Sequence, residues 1–172
     1  KEINMAQTIQ NSTQHANTVA VPKVMNDPSD HHGRMRIMYF SHDQDGAGDA
    51  TSYVRLGKLP AGKVRIFMGL CRAYVNWTTS SATIDIGWEA YQDLTGTTVS
   101  ADPDGLINGI SVDTVGYFSL EGASGSTGAP LKATGGTKSF ESQSGVIVTA
   151  STTDVAIVSG DDLAGYLVYT ID

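Results

Sequence analysis

The sequence predicts an all-β chain: a jelly-roll-like β-sandwich preceded by an extended N-terminal arm. Three observations predict it. Val, Ile, Thr, Tyr and Phe recur in short alternating runs, separated by Gly, Pro and Asp turn residues. Charged residues make up only 17% of the chain, and no long stretch keeps a helical period. The composition also changes abruptly after Gly33, from a polar, proline-interrupted segment to strand-like runs. The 172 residues fit one domain and can bury a sizeable core.

Residues 1–33 read as the arm. "TIQNSTQHANTVAVPKVMNDPSDHHG" has isolated apolar residues and no sustained period, and Pro22 and Pro28 break any helix. The apolar residues are too few for a core of their own. Ile3, Met5, Ile9, Val19, Val21, Val24 and Met25 are nevertheless too many for a solvated tail, so the arm is expected to dock on something else.

Residues 34–172 read as the sandwich. "RMRIMYF" alternates charged and apolar residues at its start, as a strand with one wet face does. "LPAG" (Pro60, Gly62) turns between two strand-like runs, and Gly69 in "VRIFMGL" marks a bulge. "ATIDIGW" places Ile84, Ile86 and Trp88 on one face and Thr83, Asp85 and Gly87 on the other. "EAYQDLTGTTVSADPDGLINGISV" reads as loop, with turns at Gly96 and "DPDG" and a helical turn near Leu106–Ile107. "VGYFSL" is a short strand and "EGASGSTGAPLKATGGTKS" a long loop. "SFESQ", "GVIVTAS", "DVAIVSG" and "LAGYLVYTI" complete about eight to ten strands, a number suited to a sandwich.

Charge and cysteine content narrow the function. The net charge is −7, but residues 34–72 carry seven Lys/Arg against three Asp, while residues 73–172 carry two Lys against twelve acids. This implies a basic face and an acidic face. The overall sign argues against nucleic acid as the main partner. No apolar run approaches the ~18–20 residues that span a bilayer, and no signal-peptide core is visible, so no membrane partner is expected. Cys71, the only cysteine, lies in an apolar run and reads as a buried structural thiol.

Each possible chemistry is poorly supplied. "SHDQDGAGDATS" (Ser41 to Ser52) resembles a calcium loop through Asp43, Asp45 and Asp49. Aligned on Gly46, however, its end positions are Ser41 and Ser52, where carboxylates are needed. His31 and His32 in "DHHG" point to opposite sides of an extended chain, and His15 and His42 form no second cluster with them, so no zinc site is expected. Residues 43–172 contain no histidine to serve a nucleophile as base. The carboxylate pairs Asp85/Glu89 and Asp161/Asp162, placed on a polar strand face and in a turn, read as solvated rather than glycosidic. Tyr74, Trp77, Trp88 and Tyr91 are candidates for a sugar-stacking platform, although Trp88 shares the alternation of Ile84 and Ile86 and so points to the core. There is no phosphate loop and no dinucleotide fingerprint. No catalytic residue, metal or cofactor is assigned.

One resemblance covers Tyr39 to Asp172. "GAGDATSYVRLGKLPAGKVRIF" followed by "ATIDIGWEAYQDLTGTTVSADPDGLINGISV" resembles a family of tailed-phage virion proteins taken to be capsid decoration or cement proteins. "ATGGTKSFESQSGVIVTA" and "LAGYLVYTID" are similar to the same family. The matching motifs are turn and strand signatures, and residues 1–33 lie outside them. The resemblance implies a non-enzymatic structural module on the outer surface of the virion capsid. Its implied partner is the major capsid protein and its implied state a homotrimer. Capsid contacts are expected from the arm and the basic segment: Ile9, Val19, Val21, Lys23, Val24, Met25, Arg34, Arg36 and Lys58. Two other classes stay open: a carbohydrate- or receptor-binding module of a head fibre or tail, and a glycoside-active enzyme on the same fold.

Overall fold

A computed structural model describes residues 13–25, 34–46, 53–77, 81–112, 114–120, 136–152 and 155–171. The chain divides into two compact units, residues 1–33 and residues 34–172. In the first, helix α1 (Thr13–Val19) forms where the sequence shows no period. It is 7 residues long and ends where Pro22, lacking an N–H, cannot continue it. The Ala20 and Val24 N–H groups both turn back to the Asn17 carbonyl, at 3.4 and 3.3 Å.

The second unit contains twelve strands among the described residues. They are β1 (Arg36–Asp43), β2 (Tyr53–Leu59), β3 (Gly62–Phe67), β4 (Arg72–Asn76), β5 (Thr83–Trp88), β6 (Tyr91–Gln92), β7 (Thr98–Val99), β8 (Asp102–Ser111), β9 (Gly116–Ser119), β10 (Thr137–Ser142), β11 (Val146–Ser151) and β12 (Asp162–Ile171). Strands β3 and β4 pair with successive parts of β12, and a single 3-10 turn (Met68–Leu70) interrupts them. They act as one long strand. Strands β9 and β10 pair with β4 and β3 in the same way. The first sheet therefore has four positions: β1, β12, β3/β4 and β10/β9. The second has the order β2, β11, β5, β8. Every pairing is antiparallel.

Followed in chain order, β1, β3/β4, β9/β10 and β12 belong to the first sheet, and β2, β5, β8 and β11 to the second. Apart from the step from β5 to β8, the chain changes sheet at each connection. This is the jelly roll, eight strand positions in two sheets, and it places the fold in the class expected from the sequence.

Alternation along the strands builds the core. Val64 and Ile66 of β3, Ala73 and Val75 of β4, and Leu163 and Leu167 of β12 are buried, while Lys63 and Arg72, at alternate positions, are exposed. Across the sandwich, Trp88 of β5 meets Phe140 of β10 edge to face, with ring centroids 5.2 Å apart. The Trp88 indole N–H donates to the Ser100 carbonyl at 3.3 Å.

The β5–β9 region departs from expectation. The stretch read as loop contains a two-strand ribbon, β6 with β7, and then the ten-residue strand β8. In the ribbon's turn, Asp93 Oδ1 accepts the N–H groups of Thr95 and Thr97 at 2.8 and 2.9 Å. It also accepts the Thr95 hydroxyl, the main cause holding this carboxyl below its ordinary range. The "DPDG" residues belong to β8, and Leu106 and Ile107 form no helical turn. Pro103 is tolerated because β8 is an edge strand with two register shifts against β5, between Ile84 and Ile86 and between Ile86 and Trp88. The bulged β8 lies so close over β5 that a side chain at Gly87 would overlap the Asp102 carbonyl and Pro103. Hence both faces of β5 are covered, and Asp85 is buried rather than wet.

Cys71 is fully buried just after the 3-10 turn. Its thiol donates to the Phe67 carbonyl at 3.2 Å and accepts the Val168 N–H at 3.3 Å, fastening the interrupted strand to β12. Burial pushes the thiol up to about 11 from 9.0. A thiol raised in the folded state stabilises fully below its unfolded value, and that stability is lost as pH rises through the folded value. Between pH 9.0 and about 11 the wild type should therefore lose stability, by no more than ~1.4 kcal/mol per pH unit. Denaturant melts of wild type and Cys71→Ala across that window test this, because the variant should lack this part of the slope.

Gly165 of β12 packs where a Cβ would overlap the Arg72 carbonyl oxygen and lie 2.6 Å from Phe40 Cζ. Gly165→Ala should cost ~1–3 kcal/mol through overpacking. Gly116→Ala, where a Cβ meets nothing within 4 Å, should stay within ~0.5 kcal/mol of wild type. Paired thermal melts distinguish the two; equal melting points would refute the close packing at Gly165.

Candidate functional site

The face of the first sheet turned away from the core carries an unusual set of residues. Cross-strand pairing lines them up in two rows. Tyr39 (β1) pairs with Tyr166 (β12), Tyr166 with Arg72 (β4), and Arg72 with Ser119 (β9). Two residues along, Ser41 pairs with Ala164, Ala164 with Tyr74, and Tyr74 with Tyr117. The result is a trough of about 660 Å³ lined by Tyr39, Ser41, Arg72, Tyr74, Tyr117 and Tyr166, with Ala164 and Gly165 giving it depth. Tyr39 and Tyr166 meet edge to face with centroids 5.9 Å apart; Tyr74 and Tyr117 are tilted at 5.1 Å. Tyr39 is 74% exposed and Tyr117 81%. Rings this exposed, gathered on one face, make the trough the candidate site of the body.

Only one of the four aromatics proposed as a sugar platform reaches this trough, Tyr74. Trp77 and Trp88 are buried in the core, and Tyr91 packs against Phe140 at 6.0 Å. These four residues form no common platform, and Trp88 lies in the core as its alternation indicated. Tyr39, Tyr117 and Tyr166 were missed because their runs lie far apart in sequence and only sheet pairing joins them.

The carboxylate pairs are used structurally. Asp85 Oδ1 accepts the Gly109 N–H at 2.7 Å, holding bulged β8 over β5, and Glu89 Oε1 accepts from Arg55 Nε at 2.6 Å. Asp161 is buried and its Oδ2 accepts the Val158 N–H at 2.9 Å; Asp162 Oδ2 accepts from Asn76 Nδ2 at 3.5 Å. Reading Asp85 and Asp161 as solvated is thus corrected: one is shut in by β8, the other folded into its own turn. A third acid pair, Asp102 and Asp104, went unnoticed in the sequence. Burial, then hydrogen bonding and charge from Asp104, raise the Asp102 carboxyl.

The calcium-like stretch begins at the end of β1. Asp43 and Asp45 are exposed there, and Asp49 lies outside the described residues. His42 Nε2 and Gln44 Oε1 are hydrogen-bonded at 2.9 Å. The Gln44 N–H donates to the Asp161 carbonyl at 3.0 Å and its carbonyl accepts the Gly160 N–H at 2.9 Å, so this segment is tied to the turn before β12. Gly46 takes a left-handed φ of 87°, a turn-forming role. His31 and His32 lie outside the described residues.

Of the expected contact residues, Ile9 also lies outside them. Val19, Val21, Lys23, Val24 and Met25 are exposed, with Val21 at 98% and Met25 at 77%. Arg34 and Arg36 are exposed at the start of β1, and Lys58 is exposed on edge strand β2. The basic segment is not one free patch, since Arg55 pairs with Glu89 and Lys63 with Glu141 at 2.9 Å.

No family model and no curated protein matches the chain. Among solved structures, it is similar to a chain of the cyanophage Pam1 capsid asymmetric unit, at 11% identity and a TM-score of 0.49 over 89% of this chain and 96% of that one. It is also similar to the infectious bursal disease virus VP2 subviral particle, at 14% identity and a TM-score of 0.36, over 80% of this chain and 33% of that one.

Asp85→Ala should destabilise the body by ~1–3 kcal/mol, because it removes a buried acceptor and leaves the Gly109 N–H without that partner. Chemical denaturation measures this. A variant as stable as wild type would show that Asp85 does not fasten β8.

Proposed function

We propose that this chain is a tailed-phage capsid decoration (cement) protein that binds the outer surface of the major capsid protein shell and stabilises it. The observation that carries the reading is the exposure of Val19, Val21, Val24 and Met25 in the first unit. Apolar surface left in water costs about 25 cal/mol per Å² relative to burial. Such a row is best explained by a partner surface that covers it. Arg34 and Arg36, at the start of the second unit, are exposed and add charge that suits an acidic neighbour. Two further features support the reading: the strand-and-turn resemblance over Tyr39 to Asp172, and a jelly-roll body whose Asp85, Glu89 and Asp161 serve structural bonds. The homotrimeric state belongs to the same proposal, as the resemblance implies it.

The test adds purified protein to phage shells that lack it. Wild type should decorate and raise the shells' thermal stability. Val21→Asp with Met25→Asp changes two side chains that the fold does not bury, so the melting point should hold while shell binding weakens more than tenfold. Undiminished binding by this variant would remove the arm as anchor, and failure of wild type to decorate would refute the proposal.

A further inference from the structure

We infer that the tyrosine trough is a binding site for a carboxylate-bearing oligosaccharide. The inference stands on the body alone and does not depend on how the chain meets a shell.

The lining has the chemistry of a sugar ring. A pyranose presents a C–H face and a rim of hydroxyls. The trough offers four phenol rings for the first and their hydroxyls, with Ser41 Oγ, for the second. Arg72 sits between the two tyrosine pairs, opposite Tyr166 and two residues from Tyr74 along β4. Among the described residues it makes no ion pair, and no carboxylate lines the trough. A free guanidinium beside aromatic rings, in a chain of net charge −7, favours a ligand that brings its own carboxylate and can accept two parallel N–H bonds.

The footprint selects a small ligand over a protein. The trough crosses four strand positions and two rows. With ~4.8 Å between strands and ~7 Å between rows, it measures about 14 by 7 Å. That is far below the ~800 Å² per partner of a stable protein interface. At one end the next row is polar, with Asp43 paired to Asp162 and Asp162 to Asn76. At the other, Val168 is buried and closes the middle of the face, with Ile37 exposed beside it on β1. A volume of about 660 Å³ lies within the range of small-molecule sites, about 300–1,000 Å³.

The test uses the full chain on an array of neutral, uronic-acid and sialic-acid oligosaccharides. Titration calorimetry then compares trigalacturonate and 3′-sialyllactose with maltotriose. At least one acidic probe should bind at least tenfold more tightly than maltotriose. Arg72→Ala should remove that preference, Arg72→Lys should keep part of it, and Tyr117→Ala should weaken binding while leaving the melting point unchanged. Absence of glycan binding overturns the inference. So does equal affinity for acidic and neutral probes, or unchanged binding by folded Arg72→Ala and Tyr117→Ala. If these variants instead lose shell decoration with no glycan bound by wild type, the trough is a protein-docking face and the inference fails.

Discussion

Strand β12 is the element on which the first sheet depends. Along one edge it pairs with all eight residues of β1, and along the other with β4 and then β3. Those partners in turn hold β9 and β10. The strand's two faces serve different ends. Leu163 and Leu167 point into the core, while Ala164 and Tyr166 point into the trough. Gly165 between them allows the Phe40 ring and the Arg72 backbone to approach closely. Core packing and the surface site therefore share one backbone position. Anything that moves β12 moves Tyr166 relative to Tyr39, Arg72 and Tyr74 together.

A second constraint comes from the acidic residues. A chain with so many aspartates looks rich in potential chemistry, yet several act as local fasteners. Asp93 closes the β6–β7 turn, Asp85 secures bulged β8, and Asp161 holds its own turn before β12. Each accepts backbone N–H groups that bulges and turns leave outside the ladders, and at Gly109 and Val158, where the bond is partly buried, such a donor is costly without a partner. In the second sheet the bulged β8 presents the Gly109 N–H and Asp85 satisfies it, while Asp93 and Asp161 do the same for turns outside that sheet.

The strands with regular alternation were legible in sequence. "RMRIMYF", "VRIFMGL" and "LAGYLVYTI" correspond to β1, β3 with its 3-10 turn, and β12. Alternation also placed Ile84, Ile86 and Trp88 in the core. It failed for Asp85 and Gly87 because a period of two reports which residues share a face, not whether the second face is covered. What covers it is β8, whose Pro103, Gly105 and Gly109 gave it the local look of a turn. The short α1 was illegible for a related reason, since seven residues make too few turns to show a period. Of the trough, the tyrosines were visible only as separate outward positions on four strands. Pairing between residues up to 127 positions apart, as for Tyr39 and Tyr166, brings them together, and no local pattern encodes it. The exposed apolar residues of the arm were legible because their isolation in a polar stretch is itself local.

The two surfaces differ in what binding demands of them. Val21 to Met25 lie outside any helix or strand, so fixing them on a partner costs ~1–2 kcal/mol of backbone entropy per residue ordered. That cost is tolerable only where a large apolar area is covered in return. The trough is built on paired strands, and its tyrosines are already in place, so ordering costs there are small. Its narrow footprint, however, limits what one copy can gain. A site of that kind becomes effective through number. If the arm fixes many copies on one particle, a second attachment to a glycan-bearing surface is governed by effective concentration, and avidity can exceed the single-site affinity ~10²–10⁴-fold. Tight anchoring at the arm would then be the condition that makes weak recognition at the trough useful.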